Sequence, residues 1–256
     1  MRYVQNGAED ERSFALTFRL NEDRAEDVQP FSFRNAQDLE RVPVRVHQVI
    51  LHKNHLLVTN TRQNLLWKTD LDGTILQEWT YSVAFEYEPG NPSTTPLRSR
   101  ARASEDYHHF NSLYADDDYI YVLAHNSAGI DKSRNSFLLQ LTHDFEVISK
   151  REDIGKACHN LVPYDGDFYI CDSANSRIVH KHHPTIELGM FTRGMALIDD
   201  HLLVAGTVAA ASAEDRGKGF SRLFFIPMGA QKPLMSIALG RLGDIHDIQP
   251  IGVLEK

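Results

Sequence analysis

The stretch from Cys158 to Lys181, CHNLVPYDGDFYICDSANSRIVHK, decides how the rest of the chain is read. His159 to Tyr164 is a short apolar run. Asp165-Gly166-Asp167 is a turn signal that separates it from a second β-rich run, Phe168 to Cys171. Asp172 to Ser176 is small and polar, and Arg177 to His180 starts a third run. The pattern predicts three short antiparallel strands joined by tight loops, with His159 at the entrance of the first.

Working outward, the same meander recurs. VRVHQVIL from Val44, HLLVTNT from His55, NLLWKTD from Asn64 and ILQEWTY from Ile75 form one copy, with Asp72-Gly73 as a hairpin signal. HHFNSLY, YIYVLAH, SFLLQLT and EVISKRE, from His108 to Glu152, form another. Thr185 to Met190 completes the copy that opens at Cys158. RGMALI, HLLVAGT, SRLFFIP and PLMSIAL, from Arg193 to Leu239, form the last complete one. Ile245 to Leu254 reads as a lone first strand. At the other end, Arg2 to Gln5, Phe14 to Leu20 and Val28 to Phe33 read as strands without a sheet. Joining the lone strand to these three gives a fifth unit and leaves few exposed sheet edges. The repeat length suits four-stranded blades of roughly 40–50 residues. The expectation is an all-β, single-domain, five-bladed β-propeller over residues 1–256, its last blade made of the C-terminal inner strand and the N-terminal strands.

Composition narrows the function. The chain has 256 residues and a formal net charge of -8, which argues against a general nucleic-acid or anionic-membrane surface. No apolar run approaches a membrane span, and the first residues, MRYVQNGAEDERS, have no apolar signal core. These features predict a soluble, cytoplasmic protein whose partners are neither nucleic acid nor membrane. The two cysteines, Cys158 and Cys171, are expected to be free and buried.

Histidine placement carries the functional reading. Aligned by their apolar pattern, the first strands place His47, His109, His159, Arg193 and His246 at one position, with His108 replacing His109 if that register slips by one. First strands line a propeller's channel, so these side chains are expected to converge. Several imidazoles at one place suit a divalent metal. The alternative for each is a hydrogen bond to a neighbouring blade's backbone. Arg193 cannot bind a metal, and its planar donors suit an anionic substrate or a salt bridge to a loop carboxylate. Long segments at Tyr87 to Asp106, Asn126 to Asn135 and Val208 to Gly219 fall where they could cover that end of the channel.

The segment from Asp172 to Arg177 resembles the repeats of NHL-type and gluconolactonase-like propellers, in which a D-S-x-N-x-R element follows a hydrophobic strand. Asp172, Ser173, Asn175 and Arg177 match it. The resemblance implies the propeller fold. The axial histidine cluster is similar in idea to the zinc site of the peptidylglycine lyase propeller and the four-histidine iron site of carotenoid-cleaving dioxygenases. Arg193 and the blade number depart from both.

The expected function is a metal-dependent enzyme. His47, His109, His159 and His246 hold one divalent metal, and Arg193 contacts a small, anionic substrate. An all-imidazole set favours iron and oxidative chemistry, with copper or zinc as other metals. A zinc-dependent lyase or hydrolase is the second reading. A non-catalytic propeller that binds a ligand or a protein is the third.

Overall fold

The computed structural model describes residues 2–5, 14–21, 24–31, 33–35, 46–61, 64–79, 108–126, 133–208 and 216–248. Arg2–Gln5 (β1), Phe14–Asn21 (β2) and Arg24–Phe31 (β3) form a three-stranded sheet in the order β1-β2-β3. The first two fall where the sequence reading places them, and the third begins at Arg24, four residues before the expected Val28. Arg34–Asn35 (β4) pairs in parallel with the last strand of the next meander, Val46–His52 (β5), His55–Asn60 (β6), Leu65–Thr69 (β7) and Thr74–Trp79 (β8). Their order is β4-β8-β7-β6-β5.

Phe110–Ala115 (β9), Ile120–Ala124 (β10), Phe137–Leu141 (β11) and Val147–Arg151 (β12) form a four-stranded sheet. A second comprises His159–Tyr164 (β13), Asp167–Asp172 (β14), Arg177–Val179 (β15) and Ile186–Glu187 (β16). A third comprises Phe191–Ile198 (β17), His201–Thr207 (β18), Ser221–Pro227 (β19) and Met235–Gly240 (β20). These are all-β meanders of the propeller-blade kind, and the four complete units of the sequence reading each appear as a sheet. Residues 36–45, 80–107, 127–132, 209–215 and 249–256 lie outside the described residues, and with them the expected loop from Tyr87 to Asp106 and parts of the other two long loops. No helix among the described residues is long and apolar enough to cross a membrane.

One expectation is corrected. The segment from Ile245 to Ile248, the described part of the lone first strand, is not a strand. It lies instead along β17: a Cβ on Gly194 would sit 3.0 Å from the Ile245 carbonyl oxygen and 3.2 Å from the Asp247 carbonyl carbon. Only a glycine lets two backbones approach so closely.

By its contacts the chain divides into Met1–Ser133 with Leu139–Ser149, and Arg134–Leu138 with Lys150–Lys256. In the first unit, Phe33, Val46, Leu56, Val58, Leu65, Trp67 and Ile75 pack into one core. Its alternating positions on β6 and β7 face one way because strand side chains have period two. In the second unit, Val162, Tyr169, Cys171, Ile178, Met195, Val204 and Phe224 fill the space between the sheets of β13 and β17.

The quoted Asp172 to Arg177 element explains itself here. Asp172 is fully buried, and its carboxylate accepts hydrogen bonds from the Lys156 N–H at 2.7 Å, Asn175 Nδ2 at 2.9 Å and Arg177 Nε at 2.7 Å. A short 3-10 turn, Ser173–Asn175, closed by Ser176 in the left-handed region (φ 59°), brings Asn175 and Arg177 back to it. Gly155 leaves room for the same carboxylate, since a Cβ there would meet Asp172 Cγ at 2.6 Å. The motif is a fold device, a buried anion neutralised by its own loop. Breaking a buried ion pair costs about 3–5 kcal/mol. The Arg177 side chain is 38% exposed, so solvent screens part of this. Asp172→Asn is expected to destabilise the chain by about 2–3 kcal/mol, read as a lowered urea midpoint.

Cys158 and Cys171 are free and buried. Burial pushes the Cys158 thiol far up and the Cys171 thiol up to about 12. Unfolded thiols ionise near about 8.5. The stability these neutral thiols contribute is therefore complete below that pH and is lost as pH rises through it. Above it the unfolding free energy falls by about 1.4 kcal/mol per pH unit for each thiol. The folded chain is expected to resist a thiol reagent at about pH 8, whereas the unfolded chain reacts at both positions. Cys171→Ala should make the decline of melting temperature between about pH 9 and 11 shallower. Fast labelling of the folded chain would contradict the burial.

Candidate functional site

The loop after each first strand fixes its register. Two-residue loops follow β5, β13 and β17, with His52↔His55, Tyr164↔Asp167 and Ile198↔His201 as the flanking pairs. In each loop the first residue takes a left-handed conformation: Lys53 (φ 52°), Asp165 (φ 46°) and Asp199 (φ 52°). Counting back equally from these loops gives His47, His159 and Arg193. The ladders agree. Val46↔Asn60 and Val49↔Val58 enclose His47, and Thr192↔Gly206 and Met195↔Val204 enclose Arg193, each in a bulge of the same size.

In the remaining sheet Asn111 takes this position, two residues before the Leu113↔Val122 pair, in a smaller bulge between Phe110↔Ala124 and Ser112↔Leu123. Neither His109 nor His108 stands there. The reason is the β9–β10 loop, which runs from Asp116 to Tyr119. Asp116 Oδ1 accepts the N–H groups of Asp118 at 2.9 Å and Tyr119 at 2.8 Å, holding a longer turn open. The shift moves His109 out of β9 and just ahead of it.

His109 nevertheless meets His47. Their ring centres are 4.6 Å apart at 65°, edge to face. His125, at the end of β10, lies 4.9 Å from His109 at 49°. Sequence reasoning quoted His125 in its strand but gave it no role; the β9–β10 pairing is what carries it to His109. The backbone here is closely held. His109 has φ 53°, a costly conformation for a non-glycine residue. The Asn64 Oδ1 accepts from the N–H of His108 at 2.6 Å and of His109 at 3.1 Å. The carbonyls of His109 and His108 accept from the N–H of His125 at 3.0 Å and of Asn126 at 2.8 Å. His108 is buried, stacks on Phe110 at 5.7 Å and has Nδ1 3.4 Å from Asn126 Oδ1.

The second unit treats its candidates differently. His159 is buried, with Nδ1 2.8 Å from Ser173 Oγ and its ring edge-on to Phe191 at 5.9 Å. Ser173 Oγ donates to the Cys171 carbonyl at 3.4 Å. Arg193 is buried and faces Asp244, Nη1 to Oδ2 at 3.4 Å, with both side chains 8% exposed. A loop carboxylate therefore occupies the guanidinium that the sequence reading offered to an anionic substrate. His246, expected at a strand start, is exposed and outside any strand. Among the described residues no group of three or more His, Cys, Asp or Glu side chains is already arranged to hold a metal ion.

No family model and no curated protein sequence matches the chain. Similar solved structures are β-propeller proteins. A protein of unknown function from Bacteroides caccae is 11% identical, with a TM-score of 0.56 over 93% of this chain and 72% of that one. A luciferin-regenerating enzyme is 12% identical, with a TM-score of 0.52 over 81% of this chain and 66% of its own, just under two thirds of its length. A streptogramin B lyase is 11% identical, with a TM-score of 0.46 over 90% of this chain and 82% of that one. At these identities the first two establish the fold class and nothing of the activity: the chain is built from β-propeller blades.

Proposed function

We propose that this chain is a β-propeller metalloenzyme that holds a divalent metal between His47 and His109, with His125 as the third donor, and acts there on a small molecule. The edge-to-face contact of His47 and His109 carries the reading. Two imidazoles on one metal, each nitrogen about 2.1 Å from it, have ring centres about 4.5 Å apart at a right angle and about 5.2 Å apart at the tetrahedral angle. The observed separation is 4.6 Å. His125, at 4.9 Å from His109, joins them by rotation about its side-chain torsions. The held, left-handed backbone at His109 supports the reading, because strain of this kind persists where a side chain must be aimed.

His159, in the second unit, is oriented by the contact of its Nδ1 with Ser173 Oγ. Arg193 and Asp244 act as a structural pair that fixes the segment carrying His246. An all-nitrogen donor set is why iron and oxidative chemistry lead, ahead of a zinc-dependent lyase or hydrolase. The blade count that fits the sequence is five. The sheet β1-β2-β3 has no fourth strand among the described residues, so the fifth blade rests on the sequence pattern.

The metal reading is tested with protein purified without a histidine tag and reconstituted separately with Fe(II), Cu(II) and Zn(II). One ion per chain is expected for the cognate metal, and His47→Ala or His109→Ala should weaken it at least about tenfold. Occupancy should fall below about pH 6, because a protonated imidazole has no lone pair to donate. Absence of stoichiometric metal with all three ions returns the chain to a non-catalytic, ligand-binding propeller. Five-blade closure has its own test: deletion of Met1 to Leu20 should lower the melting temperature of the whole chain, and unchanged melting would reject it.

A further inference from the structure

A cleft of about 240 Å³ in the first unit shares no residue with the imidazole group above. Its walls carry His52, Lys53, His55, Lys68 and His143, over a floor of Leu57 and Ile120. Register explains the gathering. His52 pairs with His55 across the β5–β6 loop, and Leu57 pairs with Lys68 across β6 and β7. Paired residues, and residues two apart on a strand, share a face, so His52, His55, Leu57 and Lys68 project together.

His143, from the β11–β12 loop, lies parallel to His52 with ring centres 4.7 Å apart and 8° between planes. Its Nε2 donates to the Asp117 carbonyl at 3.1 Å. The Nε2 of His52 is buried with no hydrogen-bond partner among the described residues. Neither Lys53 nor Lys68 enters an ion pair among the described residues. Burial, then His143 and Lys53, lower the His52 pKa against the opposite pull of Asp117 and Asp116 in the β9–β10 loop.

The same face is filled in the other sheets. Tyr164, Tyr169 and His180 take the places of His52, Leu57 and Lys68 in the sheet of β13. There Tyr169 packs 5.6 Å from Tyr164 and 4.6 Å from His180. His180 spends both ring nitrogens, on the Tyr164 carbonyl at 2.9 Å and the His182 N–H at 3.1 Å. In the sheet of β17 the places belong to Ile198, Leu203 and Phe225. Only the sheet of β5, among these three, replaces the apolar and aromatic filling with lysine and uncommitted imidazole nitrogen.

We propose that this cleft binds a small phosphate monoester, with the phosphate among the lysines and imidazoles and the organic group on Leu57 and Ile120. Ammonium and imidazolium donors make short, charge-assisted hydrogen bonds to phosphate oxygens. A phosphate oxygen supplies the acceptor that His52 Nε2 lacks once that nitrogen is protonated.

Phenyl phosphate titrated into the full chain by calorimetry, with inorganic phosphate alongside, tests the proposal. Saturable one-to-one binding is expected at about pH 6, tighter for phenyl phosphate than for inorganic phosphate. Lys68→Met and Lys53→Met should each weaken it by at least about tenfold with the melting temperature retained. His47→Ala should leave it unchanged, which separates this outcome from the fate of the metal reading. No saturable binding of either probe up to about 10 mM overturns the proposal. So does Lys68→Met binding as tightly as the unaltered chain. Equal affinity for the two probes removes the apolar floor from it.

Discussion

In an antiparallel hairpin the loop decides which residue of the first strand faces which residue of the second. Side chains alternate between faces with period two, so a loop of different length reassigns every position before it. Three first strands here end in two-residue loops whose leading residue is left-handed, and in those three His47, His159 and Arg193 stand equally far from the loop, His47 and Arg193 within the bulge and His159 paired with Cys171 at its edge. The fourth ends in the Asp116 loop, and Asn111 takes the position. A single aspartate that caps its own loop thus separates His109 from the other histidines in register, and frees it to meet His47 from outside the strand. The bulge matters as much as the loop. It breaks the ladder near the start of each strand, and backbone groups there look elsewhere: Gln48 to the Thr59 hydroxyl, and Thr61 Oγ1 to the Phe110 carbonyl.

The strands were legible in the sequence because their alternation and turn residues agree. Asp72-Gly73 and Asp165-Gly166 mark loops that form as read, and Gly73 and Gly166 take φ 88° and 73°. The histidine ring was less legible. Apolar pattern alone cannot distinguish HHFNSLY with a two-residue loop from the same run with a longer one, since both keep hydrophobic residues inward. The distinction rests on whether Asp116 folds back on the N–H groups of Asp118 and Tyr119, which is a side-chain choice. Asn64 was equally hidden. Nothing in its sequence neighbourhood shows that its amide oxygen will hold two backbone N–H groups more than forty positions away.

Charge burial explains which conspicuous residues are committed to the fold. A guanidinium removed from water needs a carboxylate, because the desolvation cost of a lone ion is several kcal/mol. Arg177 has Asp172 and Arg193 has Asp244. Asp172 ends β14 and holds it to the start of β15 across their connecting turn, whereas Asp244 follows β20 and ties that segment to β17. The D-S-x-N-x-R element is recognisable for this reason: each of its polar residues has a hydrogen-bonding duty within a few positions, and local duties leave local sequence patterns.

The imidazoles divide by what remains on their rings. His180 has both nitrogens engaged by backbone and sits within a Tyr164–Tyr169 cluster, so it fills space. His159 has Nδ1 2.8 Å from the Ser173 hydroxyl and its ring edge-on to Phe191, so one nitrogen and one ring face are held by its own unit. His52 has Nε2 buried and without a partner among the described residues, stacked on a second imidazole beside a lysine. Buried polar atoms without partners are costly and therefore rare. A chain that puts Ile198 and Phe225 in the places of His52 and Lys68 in another sheet has an inexpensive apolar solution at hand. Keeping His52, His143 and Lys68 at that face forgoes it, and the loss in packing is offset only when something with the opposite charge occupies the cleft.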